Sequence, residues 1–109
     1  RIINFSTIAV KLGIKGESIY TASKAGVETY SRTLARELSS FNITVNYIAP
    51  GPIKTDLLRG VTDQQIKNIT DQQIFNKTMM PEDIVDIVNM LLTDQAKHIS
   101  GQVLAVGGS

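Results

Sequence analysis

A phenol and an ammonium group stand four residues apart in the stretch Tyr20-Thr-Ala-Ser-Lys24, inside a strongly helical pattern. Residues at this spacing share a helix face and are separated by about 6 Å along the axis. A phenol titrates near 10, so proton transfer near neutrality requires a preference for phenolate of roughly 3 to 4 kcal/mol. A cation within about 6 Å lowers the pKa of an acid by roughly 1 to 3 units, and Lys24 would supply that bias. We therefore interpret Tyr20 as a candidate general acid and base.

A hydroxyl group stands 13 residues before this tyrosine, at Thr7, with Ser6 beside it. Such a hydroxyl can donate a hydrogen bond to a carbonyl oxygen on which negative charge develops as a hydride arrives. Neighbours on an extended segment point to opposite faces, so we expect Thr7 rather than Ser6 to reach Tyr20. No amino acid side chain supplies a hydride, and this chemistry therefore requires a redox cofactor.

The elements that would position these groups begin with a predicted strand over 1–6, which is short, apolar and β-branched. A loop containing Gly13 and Gly16 is expected next. A helix is predicted over 18–40, because apolar residues recur at spacings of three and four from Val27 through Tyr30, Leu34, Leu38 and Phe41. We expect Glu28 and Arg32 to pair on its outer face and Asn42 to end it in a left-handed conformation.

A second strand is predicted over 43–48. Pro50 and Pro52 flank Gly51 directly after it, and we expect a fixed, extended loop there, because proline disfavours both a helix and a strand ladder. The near-repeat Thr-Asp-Gln-Gln-Ile at 62–66 and 70–74 has a capping-box pattern in each copy, which predicts two short helices or one broken helix. Pro81 opens a further helix, and 102–106 forms a third strand.

This order of strand, helix, strand, helices and strand predicts an α/β fold, the C-terminal part of a Rossmann-like doubly wound parallel sheet. In such sheets ligands bind at the carboxyl ends of the strands. Thr7, Tyr20 and the loop at 50–55 all lie at or just after those ends. The pattern therefore predicts a binding site that these three features share.

Composition excludes several other classes of function. The 109 residues form one domain or part of one, and their net charge of +1 is spread without any block of like charge, so we expect neither a nucleic acid nor a membrane surface as a partner. There is no cysteine, and the single His98 has no partner at a metal-ligand spacing, so no metal site is expected. The chain begins with Arg1 directly on a strand pattern, which suggests that its natural N-terminus is missing and that the absence of a signal peptide carries no information.

Each signal is weak alone, because a Tyr and a Lys four apart are common on helix surfaces and Pro-Gly-Pro is most often only a loop. Taken together and in order, they resemble the C-terminal half of a short-chain dehydrogenase/reductase, similar to bacterial 3-oxoacyl-carrier-protein reductases. The stretches that carry the resemblance cover the whole chain: Arg1-Ile-Ile-Asn-Phe-Ser-Thr7, Tyr20-Thr-Ala-Ser-Lys24-Ala-Gly-Val, Leu34-Ala-Arg-Glu-Leu38, Ile43 through Thr55, Pro81-Glu-Asp-Ile84 and Ser100-Gly101-Gln102.

The resemblance implies an NAD(P)-dependent oxidoreductase that interconverts a small-molecule carbonyl and an alcohol. Tyr20 would transfer the proton, Lys24 would lower its pKa and bind the ribose hydroxyls of the nicotinamide nucleotide, and Thr7 would orient the carbonyl. The nicotinamide end of NADP or NAD would be held by Pro50, Gly51, Ile53 and Thr55. The stretch 56–80 would form a variable substrate lid. The resemblance also implies a cytoplasmic protein that works as a homo-oligomer, either a dimer or a tetramer.

Three departures from the family pattern qualify these expectations. Thr7 stands where the family usually has Ser, and Gly107-Gly108 lacks the preceding Asp or Asn. The glycine-rich phosphate turn, the residue that chooses NAD or NADP and a catalytic Asn would all precede Arg1, so residues 1–109 are expected to be the C-terminal half of a single domain. A catalytically silent fragment, a folding or dimerisation module and a regulatory binding protein on the same scaffold remain as alternatives.

Overall fold

A computed structural model describes all residues 1–109 and contains one parallel sheet of three strands in the order β1-β2-β3. The strands are β1 (Ile2–Phe5), β2 (Val45–Pro50) and β3 (Val103–Val106). The helices are α1 (Ala9–Leu12), α2 (Ser18–Glu37), α3 (Asp63–Thr70) and α4 (Pro81–Leu92), with 3-10 turns at Ser39–Phe41, Asp56–Leu58 and Asp94–Ala96. The predicted α/β fold with parallel strands is confirmed. No helix combines the length and the apolar character that crossing a bilayer requires.

The central strand β2 is buried between helices on both faces of the sheet. Its Tyr47 faces α2, where the phenol oxygen accepts a hydrogen bond from Arg32 Nη2 at 2.9 Å. The next residue, Ile48, points to the other face and packs with Ile84 and Leu91 of α4. Side chains of a strand alternate between the two faces, so an apolar strand must be covered twice. This doubly covered sheet brings the carboxyl ends of β1 and β2 to one edge.

A short helix follows β1, where the sequence predicts only a loop. Ile8 N donates to the carbonyl of Pro50 at 3.2 Å, and Ala9 N donates to Thr7 Oγ1 at 3.2 Å. Gly13, with φ 64°, ends α1 in the left-handed conformation that favours glycine. The predicted loop does hold Gly13 and Gly16 but begins only after α1, because these bonds satisfy the free backbone amides of a single helical turn. Thr7 is thereby fixed between β1 and α1.

The strand β2 runs through Pro50, two residues farther than predicted. Proline lacks a donor, but this position needs only an acceptor, which the Pro50 carbonyl provides to Ile8 N. The ladder then continues through Gly51 N, which donates to Val106 O at 3.2 Å. The prediction that Pro50 lies in the loop is therefore wrong. The loop begins at Gly51.

The two copies of the near-repeat fold differently. In the first copy, Thr62 Oγ1 accepts from Gln65 N at 3.1 Å and Gln65 Oε1 accepts from Thr62 N at 2.9 Å, so the predicted capping box opens α3. The second copy opens no helix, since Thr70 ends α3 and 71–74 form a turn, which corrects that part of the prediction. Its Gln73 turns inward and donates to the carbonyls of Phe75 and Lys77 instead of capping a helix.

Helix α2 corrects two further expectations. Glu28 and Arg32 do not pair, because Glu28 accepts from Ser6 while Arg32 donates to Tyr47. Tyr30 and Phe41, predicted on the apolar face, are exposed. Asn42 does adopt the predicted left-handed conformation, at φ 58°, where it ends the 3-10 turn Ser39–Phe41 that follows the helix.

Candidate active site

A cleft of about 330 Å³ lies beyond the carboxyl ends of β1 and β2. Six of the seven residues predicted for the site border it: Thr7, Tyr20, Pro50, Gly51, Ile53 and Thr55. Tyr20 lies in the first turn of α2 and is 46% exposed, so its phenol is accessible to a ligand. Lys24 does not border the cleft. It lies one turn farther along α2, where its Nζ donates to the carbonyl of Phe5 at 3.2 Å.

The two adjacent hydroxyls after β1 have different partners. Ser6 is only 4% exposed, and its Oγ donates to Glu28 Oε1 at 2.6 Å. Thr7 Oγ1 accepts from Ala9 N, which leaves its own proton free to be donated. Both residues border the cleft, but only the Thr7 hydroxyl still has a hydrogen to offer a ligand. This arrangement agrees with the choice of Thr7, whose role remains a prediction.

Three polar contacts join one face of α2 to β1, and we call them the polar ladder. They run from Lys24 Nζ to Phe5 O at 3.2 Å, from Ser6 Oγ to Glu28 Oε1 at 2.6 Å and from Asn4 Nδ2 to Ser31 Oγ at 3.0 Å. Positions 24, 28 and 31 lie one turn apart, so these bonds fix the rotation of the helix and its height over the strand. Asn4 and Glu28 are not among the predicted site residues, because Asn4 lies within the apolar strand β1 and helix periodicity placed Glu28 on the outer face of α2.

The loop after β2 is held from outside by the segment that follows α3. Met79 N donates to Pro52 O at 3.0 Å, and Lys54 N donates to Met79 O at 2.9 Å. These bonds clamp the stretch that contains Ile53 and set the position of Thr55. Thr55 precedes the 3-10 turn Asp56–Leu58, but its side chain does not cap that turn. The Thr55 hydroxyl is therefore available to a ligand in the cleft.

The Gln73 side chain lies against Gly51, although the sequence does not single Gln73 out as a site residue. Gln73 is 7% exposed, and its Nε2 donates to Phe75 O at 2.9 Å and to Lys77 O at 3.0 Å. A Cβ at Gly51 would collide with Gln73 Oε1, and a Cβ at Gly107 would come within 3.1 Å of the same amide. Gln73 Oε1 is buried without a hydrogen-bond partner. Glycine at position 51 thus leaves the space that the Gln73 amide occupies.

A larger cleft, of about 770 Å³, lies between the C-terminal half of α2 and β3. Arg32, Arg36 and Tyr47 border it, but none of the predicted site residues does. Its volume does not make it the better candidate, because ligands of such sheets bind at the carboxyl ends of the strands, whereas this cleft borders the amino end of β3. The cleft that gathers Thr7, Tyr20 and the loop after β2 is therefore the candidate active site.

Comparison with known proteins finds similar sequences over nearly the whole chain. The family model described as "Enoyl-(Acyl carrier protein) reductase" matches residues 1–108. The 3-oxoacyl-(acyl-carrier-protein) reductase FabG of Chlamydia trachomatis is 38% identical over 107 residues, which cover 98% of this chain and 43% of the relative. The enzyme of the same name from Escherichia coli (strain K12) is 38% identical over 108 residues, covering 99% of this chain and 44% of the relative.

Among solved structures, a blue fluorescent protein from a metagenomic library, in complex with NADPH, superposes with a TM-score of 0.88 and 30% sequence identity. That match covers 99% of this chain and 44% of the other. The chain therefore spans less than half the length of the relatives that it matches. From the family match, the sequence identities and the shared fold, this chain belongs to the short-chain dehydrogenase/reductase family.

Proposed function

We propose that this chain carries the catalytic residues of an NADP- or NAD-dependent oxidoreductase that interconverts a carbonyl and an alcohol by hydride transfer. The observation that supports this most is the meeting of Thr7 and Tyr20 with the loop after β2 around one cleft. A phenol and a free hydroxyl at the same ligand site are suited to a carbonyl oxygen, which gains negative charge and then a proton during reduction.

In this proposal, the Thr7 hydroxyl donates to the carbonyl oxygen and orients it. Tyr20 gives its phenolic proton to the same oxygen as the carbonyl carbon is reduced, and it takes the proton back in the reverse reaction. The Lys24 ammonium stabilises the phenolate that remains and binds the ribose hydroxyls. The polar ladder fixes the position of α2 against β1, and thereby the position of Tyr20 relative to Thr7.

The nicotinamide nucleotide, when bound, supplies the hydride. The residues present fit its nicotinamide end, because Pro50, Gly51 and Ile53 give the cleft a largely apolar wall and Thr55 adds a hydroxyl that caps no turn. The NADPH bound to the fluorescent relative supports NADP as the cofactor. We assign Pro50, Gly51, Ile53 and Thr55 to this end of the cofactor.

The relatives differ in the bond that their names imply. FabG proteins are named for reduction of a 3-oxo group, whereas the family description names an enoyl group, a carbon–carbon double bond. The free proton of Thr7 beside Tyr20 favours the carbonyl, because a hydroxyl pair at one ligand atom serves an oxygen that is to be protonated. We propose a small-molecule carbonyl or alcohol as the substrate.

We also propose that the protein works as a homo-oligomer, a dimer or a tetramer, in the cytoplasm. Ile19 and Tyr30 on the outer face of α2 are exposed and would be covered in such an assembly. The alternatives are a catalytically silent fragment and a binding or dimerisation module on the same scaffold. Absence of turnover in the full-length gene product would favour these alternatives.

The test uses the full-length product of the gene that encodes this chain, with NADPH or NADH and either a 3-oxoacyl thioester or the matching enoyl thioester. We expect oxidation of the cofactor with the 3-oxoacyl substrate, and we expect Tyr20→Phe to lower turnover by roughly 10²- to 10⁴-fold with little change in cofactor affinity. Tyr30→Phe is the matched control, because Tyr30 lies on the same helix and does not border the cleft. Near-full turnover by Tyr20→Phe would show that Tyr20 is not the acid.

A further inference from the structure

The candidate active site contains one carboxyl side chain. Apart from the phenol of Tyr20, the only ionisable residue that borders the cleft is Glu17, and no Lys, Arg or His borders it. Glu17 forms neither of the two ion pairs in the structure, which join Arg59 to Asp56 and Lys67 to Asp71. Any ligand in the cleft therefore meets an uncompensated carboxylate.

This carboxylate has no evident structural task. Glu17 is the residue directly before α2, a position where side chains often cap the helix, but its side chain makes no capping bond. Its contribution to the helix comes from its backbone carbonyl, which accepts from Thr21 N at 2.7 Å and from Thr21 Oγ1 at 2.8 Å. The side chain is exposed and borders the cleft one turn before Tyr20, so the Cα atoms of the two residues are about 5 Å apart along the helix axis.

The rest of the wall near Glu17 is apolar. Ile14, Leu57, Leu58 and Ile69 border the same cleft and offer neither a donor nor a charge. Such a wall binds a hydrocarbon chain, which gains free energy by leaving water. A substrate would thus place its carbonyl at Thr7 and Tyr20, with its chain on the apolar wall and the group next to its carbonyl near Glu17.

From this arrangement we propose that Glu17 is a specificity-determining residue that selects uncharged carbonyl compounds and rejects those with an anionic group beside the carbonyl. The substrate class is then an apolar ketone, or a 3-oxo acid masked as an ester or thioester, and not the free 3-oxo carboxylate. The proposal rests on the proposed function of the cleft, since it concerns the same carbonyl site.

Electrostatics sets the size of the effect. Two like charges about 6 Å apart at an effective dielectric constant of 20 to 40 disfavour binding by roughly ten- to a hundredfold. The positive end of the α2 dipole lies close to Glu17 and offsets part of its charge. We therefore expect Glu17 to disfavour the anionic compound by about tenfold, the lower end of this range. Lys24 offsets it only from outside the cleft, because its Nζ donates to the Phe5 carbonyl and the residue does not border the cleft.

The experiment compares two substrates that differ mainly in charge, a 3-oxo ester and the corresponding 3-oxo acid anion, in the full-length gene product. We expect kcat/KM to favour the ester, and we expect Glu17→Gln to lower this preference about tenfold through a gain on the anion. Glu17→Lys should lower it further. Added salt should weaken the preference of the wild type more than that of Glu17→Gln, because salt screens charge. Glu37→Gln, which changes an exposed carboxylate at the far end of α2, is the control and should leave the preference unchanged.

An unchanged ester-to-anion ratio in Glu17→Gln would overturn the proposal while leaving the reaction in place. Absence of turnover with both substrates and both cofactors would overturn the proposed function instead. In that case the dissociation constants of the same ester and anion, measured by ligand-observed NMR on wild type and Glu17→Gln, decide the question. Equal relative affinities in the two proteins would refute selection by Glu17, and a lost preference in the variant would support it.

Discussion

Substitution of Gly51 by alanine tests why this position is glycine. The added Cβ would occupy the space of Gln73 Oε1, so the Gln73 side chain must leave its place. Its two hydrogen bonds, to the carbonyls of Phe75 and Lys77, would then be lost at about 1 kcal/mol each. Exposure of the unpartnered Oε1 to water would return about 1 kcal/mol. With strain at the displaced segment, we expect Gly51→Ala to lower the free energy of unfolding by roughly 1 to 3 kcal/mol.

A second substitution makes this reasoning specific. In Gly51→Ala/Gln73→Ala the collision is absent, so the double variant should be no less stable than Gln73→Ala alone. The assays are urea unfolding and hydrogen exchange at the amide of Phe75, which donates to Gly107 O at 2.8 Å in the same segment. Gly26→Ala is the matched control, because a Cβ there has open space within a helix and should stabilise by about 0.5 to 1 kcal/mol.

Additive losses in the double variant would refute the role of Gln73. Cofactor affinity then separates the two explanations of Gly51. If packing against Gln73 is the whole reason for the glycine, NADPH affinity returns together with stability in the double variant. If the nicotinamide also needs the space, stability returns and affinity does not.

Three further predictions follow from the site and the sheet. In steady-state assays, Thr7→Ser should keep activity and Thr7→Val should lose most of it. The reverse pattern, with Ser6→Ala inactive and Thr7→Val active, would contradict our choice of hydroxyl. The effects of Ser6→Ala and Glu28→Leu on the free energy of unfolding in urea should be coupled by roughly 1.5 to 3 kcal/mol, since the two residues share one charge-assisted hydrogen bond. Additive effects in the double variant would argue against the polar ladder. Residues 1–109 alone should self-associate and bind NADPH poorly, because β1 has a strand neighbour on one side only. Size exclusion gives the mass and fluorescence titration gives the affinity for NADPH. A monomer that unfolds cooperatively and binds NADPH with micromolar affinity would disprove this.

The sheet could be predicted from the sequence because each strand carries its own signal. The runs at Ile2 and Val45 are apolar and β-branched, and a helix-length segment separates them, which leaves a parallel pair with a crossover as the natural solution. The site followed from the same logic. Thr7 lies just after β1 and Pro50 ends the neighbouring parallel strand β2, so both could be placed at the same edge without any knowledge of side-chain packing.

What the sequence could not predict depends on contacts between residues far apart in the chain. Gln73 has the same local pattern as Gln65, and local chemistry predicts a cap for both. Only Gln73 lies opposite two glycines, at positions 51 and 107, whose missing side chains leave room for its amide. Burial of that amide outweighs the cap that it could have made, because its two hydrogen bonds to Phe75 and Lys77 close the turn that clamps the loop after β2.

The orientation of Glu28 also depends on a contact between residues far apart in the chain, the hydrogen bond with Ser6. Helix periodicity assigns it to an outer face with Arg32, and an exposed pair of this kind contributes only about 0.3 to 0.5 kcal/mol. The short bond from the buried Ser6 hydroxyl is stronger, because it joins a charged acceptor to a donor that would otherwise lack a partner. The carboxylate therefore turns toward β1 and fixes α2 there. Because the local pair with Arg32 would be weak, Glu28 instead bonds to Ser6 and positions α2, the helix that carries Tyr20.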